Sequence, residues 1–269
     1  MTWLLRPGLA VVRRDGEHLQ LGLGARRAVL PAVPAVRRLL RELAAGAPLT
    51  TLDDVAGRAL RALAEAGLVA PAEEEAARAA ARAGCAVHLD VPPDLLPAAL
   101  RLLGEAGLSV AGATDAVDVA LVWAVGELSR SRLDGWMRTA TPHLAVRETP
   151  DGPVLGPYVV PGATACLRCV DAHAAQRDPR HPLVVEQLAT SGPLRPAAPD
   201  PARRALALAW AVRDLATAAE GGVPATWSST IALGELPPEL TAYHRHVHCG
   251  CTWAEELAAP DPGGVARAG

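Results

Sequence analysis

Four of the five cysteines in this chain stand in two close pairs, a C-x-x-C at Cys166 and Cys169 and a C-x-C at Cys249 and Cys251, far apart in sequence. A tetrahedral zinc ion needs two thiolates from one tight turn and two from elsewhere, and Gly250 supplies the backbone freedom to aim both sulfurs of the second pair inward. The spacing therefore predicts a four-cysteine site that clips two distant segments together. With all four positions filled by protein, such a site is structural. A thioredoxin-like redox motif accounts for one C-x-x-C but leaves the C-x-C unexplained, and simple burial of the thiols leaves both pairings unexplained. His173, His244, His246 and His248 crowd the pairs and are read as surface or strand histidines able to donate to the sulfurs, rather than as ligands. Cys85 opens an apolar stretch and reads as a small core residue.

The 269 residues contain no lysine, phenylalanine or asparagine, while alanine, arginine, proline and leucine abound. That bias supplies lone arginines and alanine-rich helices without functional demand, so neither carries weight here. Half the residues are hydrophobic and the net charge is −3, which fits a soluble protein of about two domains. No stretch approaches the roughly 20 apolar residues of a membrane span, and the start lacks the order of a signal peptide. The expected compartment is the cytoplasm, with no membrane partner. Arginines alternate with Asp and Glu, so no nucleic-acid partner is expected either.

Along the chain, Gly8–Arg14 and Glu17–Leu23 read as strands joined by Asp15-Gly16, a strong hairpin signal. Arg26–Leu30 reads as a third strand. Pro34–Gly46 follows as a helix with Val36, Leu39, Leu40 and Leu43 on one face. Thr50–Val69 predicts a second helix, capped by Thr50 or Thr51 and stopped by Gly67, with Val55, Ala59, Leu60 and Leu63 inward. The first unit is thus 1–72, and 73–84 reads as a linker able to be helical. Beyond it, Cys85–Val91, Leu108–Gly112, Val117–Val125, His143–Glu148 and Pro153–Val160 read as strands, with Pro93–Gly107 and Pro201–Gly222 as helices. The order predicts an α/β domain over 85–260 with a doubly wound sheet; with the first unit of three strands followed by helices, the chain is α+β overall. Residues 227–248 read as a two-stranded return to the second cysteine pair, and 261–269 as a disordered tail.

A nucleotide site on such a sheet needs glycines and free amides after the first strand. Here that turn carries Pro92 and Pro93, and without any lysine no P-loop can form. Asp90, Asp94, Asp115 and Asp118 lie near predicted strand ends, where solvated loop carboxylates are the simpler reading.

The stretch 155–182, LGPYVVPGATACLRCVDAHAAQRDPRHP, followed by YHRHVHCGCTW at 243–253, resembles the C-terminal signature of ThiF-like proteins that accompany YcaO enzymes in making azole- and azoline-containing ribosomal peptides. The first unit is similar in element order to the winged-helix PqqD-like peptide-recognition domain. The resemblance implies a degenerate Rossmann-like domain holding structural zinc on Cys166, Cys169, Cys249 and Cys251. It implies that a precursor's leader peptide adds a strand beside Arg26, Arg27, Ala28, Val29 and Leu30, against Arg58, Arg61, Ala62 and Glu65 of the second helix. The partners implied are that leader peptide, a YcaO cyclodehydratase and a second copy of the chain. Two departures stand out. There is room for one helix where the recognition fold has two, and the ATP-binding residues of adenylating relatives have no counterparts. The reading that follows is a non-catalytic adaptor; the alternative is an enzyme that adenylates a peptide carboxylate.

Overall fold

The computed structural model describes residues 2–49, 52–191, 200–235 and 237–251, in two units, residues 1–80 and 81–269. The first contains β1 (Trp3–Leu5), β2 (Val11–Arg13), β3 (His18–Leu23), β4 (Arg26–Pro31), α1 (Pro34–Ala45), α2 (Asp54–Glu65), β5 (Val69–Pro71) and the start of α3 (Ala72–Gly84).

Strands β2, β3 and β4 form an antiparallel sheet in that order. The Asp15 carboxylate closes the first hairpin by accepting from the amides of Glu17 (2.8 Å) and His18 (2.7 Å). Alternation then puts Leu19, Leu21, Ala28 and Leu30 on one face, where they meet Val36, Leu39, Leu40 and Leu43 of α1 and Ala56, Ala59 and Leu63 of α2. On α2, Ala56 joins Ala59 and Leu63 in the core, and the half-buried Val55 and Leu60 pack against it. Thr50 and Thr51 lie outside the described residues; the cap is Asp53, which accepts from the Ala56 amide at 2.7 Å. One pairing escaped the sequence reading, because three-residue strands carry no readable alternation: β1 pairs antiparallel with β5, Trp3 opposite Pro71 and Leu5 opposite Val69.

The stretch read as a linker is α3. Glu73, Glu74 and Glu75 sit in its first turn and Arg82 in its last, which suits the helix dipole. It buries no side chain, as expected where alanine propensity rather than packing makes the helix.

The second unit adds β6 (Ala86–Asp90), α4 (Leu96–Glu105), β7 (Ser109–Val110), β8 (Val119–Val125), a short 3-10 turn (Arg130–Leu133), α5 (Asp134–Arg138), β9 (His143–Thr149), β10 (Gly152–Val159), α6 (Leu167–Ala175), α7 (His181–Thr190), α8 (Pro201–Ala219), β11 (Ser229–Ala232) and β12 (Glu239–Ala242). One sheet runs β12-β11-β10-β9-β8-β6-β7. Its β7-β6-β8-β9 half is parallel and its β10-β11-β12 half antiparallel. The expected doubly wound sheet thus becomes a mixed one. The reason is local: Thr149 pairs with Gly152, and so short a connection permits only a hairpin.

Both faces of this sheet are covered. Leu121, Trp123, Leu144, Val146 and Leu155 pack under α4 and α8, while Ala120, Val122, Ala124 and Ala145 meet Leu128, Leu133 and Leu167 on the other side. The tail 261–269 lies outside the described residues.

Candidate functional site

The Cys166 pair is delivered by β10 and the turn after it. Gly156 has φ +93, and a Cβ there would lie 2.3 Å from the Ser229 carbonyl oxygen, so only glycine lets β11 approach. Thr164 is buried; its hydroxyl accepts from the Val160 amide (2.7 Å) and donates to the Tyr158 carbonyl (3.2 Å). The Ser228 hydroxyl accepts from the Ala165 amide at 3.0 Å. These bonds fix the entry to α6, whose N-cap is Cys166. A C-x-x-C at a helix N-terminus sits where the dipole favours thiolate.

The second pair comes from the turn after β12. The Cys249 amide donates to the His246 carbonyl at 2.9 Å, and Gly250 takes φ +75. The four sulfurs lie within 4.8 Å of one another: Cys166 to Cys249 is 3.4 Å, Cys169 to Cys251 is 3.5 Å and Cys166 to Cys169 is 3.8 Å. Four thiolates at the vertices of a tetrahedron with metal–sulfur bonds of about 2.3 Å stand about 3.8 Å apart, so this donor set fits a thiolate-binding metal ion. The sequence-derived ligand set is brought together complete.

Hydrogen bonds from the thiols of Cys166, Cys249 and Cys251, with one from the His246 amide (3.3 Å), push the Cys169 thiol pKa down, whereas the shared proton pushes that of Cys166 up. The group reaching a sulfur is the backbone of His246, not its ring. The rings bond elsewhere: His173 Nε2 lies 2.9 Å from the His244 carbonyl, and the His246 ring meets Gln176 (3.2 Å) and the His248 amide (3.2 Å).

The carboxyl ends of β6 and β8 frame a crevice of about 400 Å³, lined by Asp90, Pro92, Trp123, Glu127 and Arg132 among others. Its polar groups are engaged with protein. Asp90 pairs with Arg132 at 2.7 Å and the Trp123 indole donates to Glu148 at 2.5 Å; outside the lining, Asp94 and Glu148 both hold Arg204, at 2.5 and 2.7 Å. Below them Arg130, 3 % exposed, makes a two-pronged pair with Asp171 at 2.7 Å on each prong and a third bond to Glu127 at 2.8 Å. Burial raises the Glu127 pKa, but Arg147 and Arg130 outweigh it and hold that carboxyl below its ordinary range. Glu186 of α7 accepts from the Arg130 amide and the Ser129 hydroxyl, both at 2.8 Å. Asp115 and Asp118 accept the amides of Gly112 and Ala86, each at 2.8 Å. Pro92 and Pro93, in the turn after β6, have no backbone amides to offer a phosphate. Sequence reasoning missed the Arg130–Asp171 pair, since an aspartate in the first turns of a helix carries no distinguishing signal.

In the first unit, β4 pairs on one side with β3 and, among the described residues, with no strand on the other. Arg26, Arg27 and Val29 are exposed. Ala28 and Leu30 are 5 % and 2 % exposed, so their side chains belong to the core. Helix α2 packs against β4 and presents Arg58, Arg61 and Glu65 outward, with Ala62 half-buried.

No protein-family profile and no curated protein matches the chain. Solved structures do. The heterocyclase TruD shares 16 % identity at a TM-score of 0.68 over 93 % of this chain and 42 % of its own. A heterocyclase in complex with substrate and cofactor shares 17 % at 0.67 over 93 % and 39 %. E. coli MccB, in a structure with ATP, shares 13 % at 0.57 over 94 % of this chain and 100 % of its own. The chain therefore has the fold of these proteins and spans about two fifths of the length of the heterocyclases.

Proposed function

We propose that this protein is a non-catalytic adaptor that binds the leader of a ribosomal precursor peptide and delivers it to a separate YcaO cyclodehydratase for azoline formation. The carrying observation is the open edge of β4 flanked by α2, because an extended peptide gains main-chain hydrogen bonds by adding a strand to such an edge. The shared fold supports it: the chain matches two fifths of the length of proteins named as heterocyclases. The self-paired crevice supports the absence of catalysis. In this reading the metal is zinc, held by Cys166, Cys169, Cys249 and Cys251, where it closes the loop between α6 and the C-terminal strands and takes no part in chemistry.

The test is fluorescence polarisation with the leader of a precursor encoded beside a YcaO gene in the same genome. Binding at micromolar affinity or tighter, with no ATP hydrolysis by this chain alone, is expected. No binding by the intact protein would refute the adaptor reading.

A second reading, an enzyme adenylating a peptide carboxylate, is favoured by the match over the whole length of MccB, a protein crystallised with ATP. ATP–pyrophosphate exchange by the purified chain would establish it.

A further inference from the structure

Two of the four cluster sulfurs are within reach of solvent. Cys166 and Cys169 are buried, at 5 % and 0 % exposure, whereas Cys249 and Cys251 are half-buried. An oxidant arriving from water therefore meets the C-x-C pair first. The thiolate is the reactive form of cysteine, and four sulfurs gathered to ligate a cation are held in that form. Cys85 lies outside the cluster, and burial pushes its thiol pKa up, which keeps it protonated and poorly nucleophilic.

Distance then selects the partner. Cys249 lies 3.4 Å from Cys166 and Cys251 lies 3.5 Å from Cys169, while the Cys166–Cys169 separation is longer, 3.8 Å. Each half-buried sulfur thus has its own buried neighbour on the other segment, and the two pairings use every sulfur once. The C-x-C pair sits in a turn outside any helix or strand, with Gly250 at φ +75, so its backbone has room to adjust; Cys166 and Cys169 are fixed by α6.

We propose that the cluster is also an oxidation site, which a peroxide converts into two cross-links, Cys166–Cys249 and Cys169–Cys251, that keep α6 joined to the C-terminal segment after the metal has gone. In each half, a thiolate of the C-x-C pair attacks a peroxide oxygen, the O–O bond breaks and hydroxide leaves, giving a sulfenic acid. The neighbouring buried thiolate attacks the sulfenic sulfur, and a second hydroxide leaves as the S–S bond forms. Over both steps each sulfur loses one electron and each peroxide oxygen gains one. Four thiolates and two molecules of hydrogen peroxide thus give two disulfides and four hydroxide ions. A disulfide sulfur is no longer a thiolate ligand, so the metal site is lost. The joined residues stand 83 and 82 positions apart, and cross-links that close long loops constrain the unfolded chain most. What is released depends on the metal reading above; which sulfurs join does not.

The test treats the intact, reduced chain with hydrogen peroxide, removes small ions, and measures metal by elemental analysis and links by mass spectrometry of a non-reduced tryptic digest. Trypsin cuts after Arg168 and Arg245, which separates Cys166 from Cys169 and leaves Cys249 with Cys251. The expected product is one species of three joined peptides, in which fragmentation at Gly250 assigns Cys166 to Cys249 and Cys169 to Cys251. Metal content should fall by one ion for every four thiols lost, and the oxidised chain should melt above the chelator-stripped, reduced chain. A Cys166–Cys169 or Cys249–Cys251 link, a link through Cys85, oxidation that ends at sulfinic or sulfonic acid, or melting no higher than that of the stripped chain would overturn the proposal. Other links in a chain that carried metal at the outset would overturn it and leave the zinc reading intact. The mapped links in a chain that never carried metal would support it and remove the zinc reading.

Discussion

The sulfur cluster and the charged crevice belong to the same unit and differ in what they leave unsatisfied. Around Cys166, Cys169, Cys249 and Cys251 the protein assembles four acceptors with few donors, an arrangement that repels itself as thiolates and asks for a cation. Around Arg130 it assembles Asp171, Glu127 and a backbone oxygen, which accept four hydrogen bonds from the guanidinium's five N–H donors. One site is built to be completed; the other completes itself. A cleft at the carboxyl ends of parallel strands is the usual place for a ligand on such a sheet, yet here the less conspicuous site at the end of β10 has the open chemistry.

Five measurements would break or sharpen that contrast. The largest effect belongs to the cluster. A structural zinc ion contributes on the order of 10 kcal/mol to small metal-dependent domains, so Cys169→Ser should lower stability by about 5 kcal/mol or more and abolish metal in elemental analysis. Unchanged melting in a metal-free variant would remove the cluster's structural role. Next, Arg130→Met strands two buried carboxylates and should cost about 3–5 kcal/mol, with much of that regained in the Arg130→Met/Asp171→Leu double variant. Denaturant unfolding of the three proteins checks it, and a single-variant loss below about 1 kcal/mol would show that the crevice is not self-supporting.

A smaller effect is pH-dependent. His143 is fully buried, burial pushes its pKa down, and its Nε2 has no hydrogen-bond partner. The unfolded chain therefore binds a proton that the folded chain refuses. The stability held above the ordinary imidazole pKa, about 6.5, is lost progressively as pH falls from there through the lowered folded value. His143→Leu should flatten the melting temperature over this window, and an equally steep decline in that variant would assign the pH dependence elsewhere. Least of all, Arg132→Ala should change stability by less than about 1 kcal/mol, because the Arg132–Asp90 pair is about two-fifths exposed on both sides. In the same melting assay ATP should produce no stabilisation, and an ATP-dependent rise would reopen the crevice as a nucleotide site.

The four-cysteine cluster was legible because cysteines are scarce in this chain and paired spacing is specific. The core faces of α1 and β3 were legible because one period of apolar residues marks each. The antiparallel half of the large sheet, the β1–β5 ladder and the Arg130–Asp171 pair were not. Each depends on how segments meet in space: a two-residue connection reverses β10, three-residue strands show no period, and a buried ion pair looks like two surface charges until its partners close around it.

By itself the sequence determined the chemistry available: four sulfurs, no phosphate-binding glycines or lysine, and arginines along a strand bounded by proline. Those are properties of side chains, which local order carries unaided. The tertiary structure decided which of those groups remain unpaired, because satisfaction of a charge or an amide is a relation between residues distant in the chain, and such relations come into being only when the chain folds.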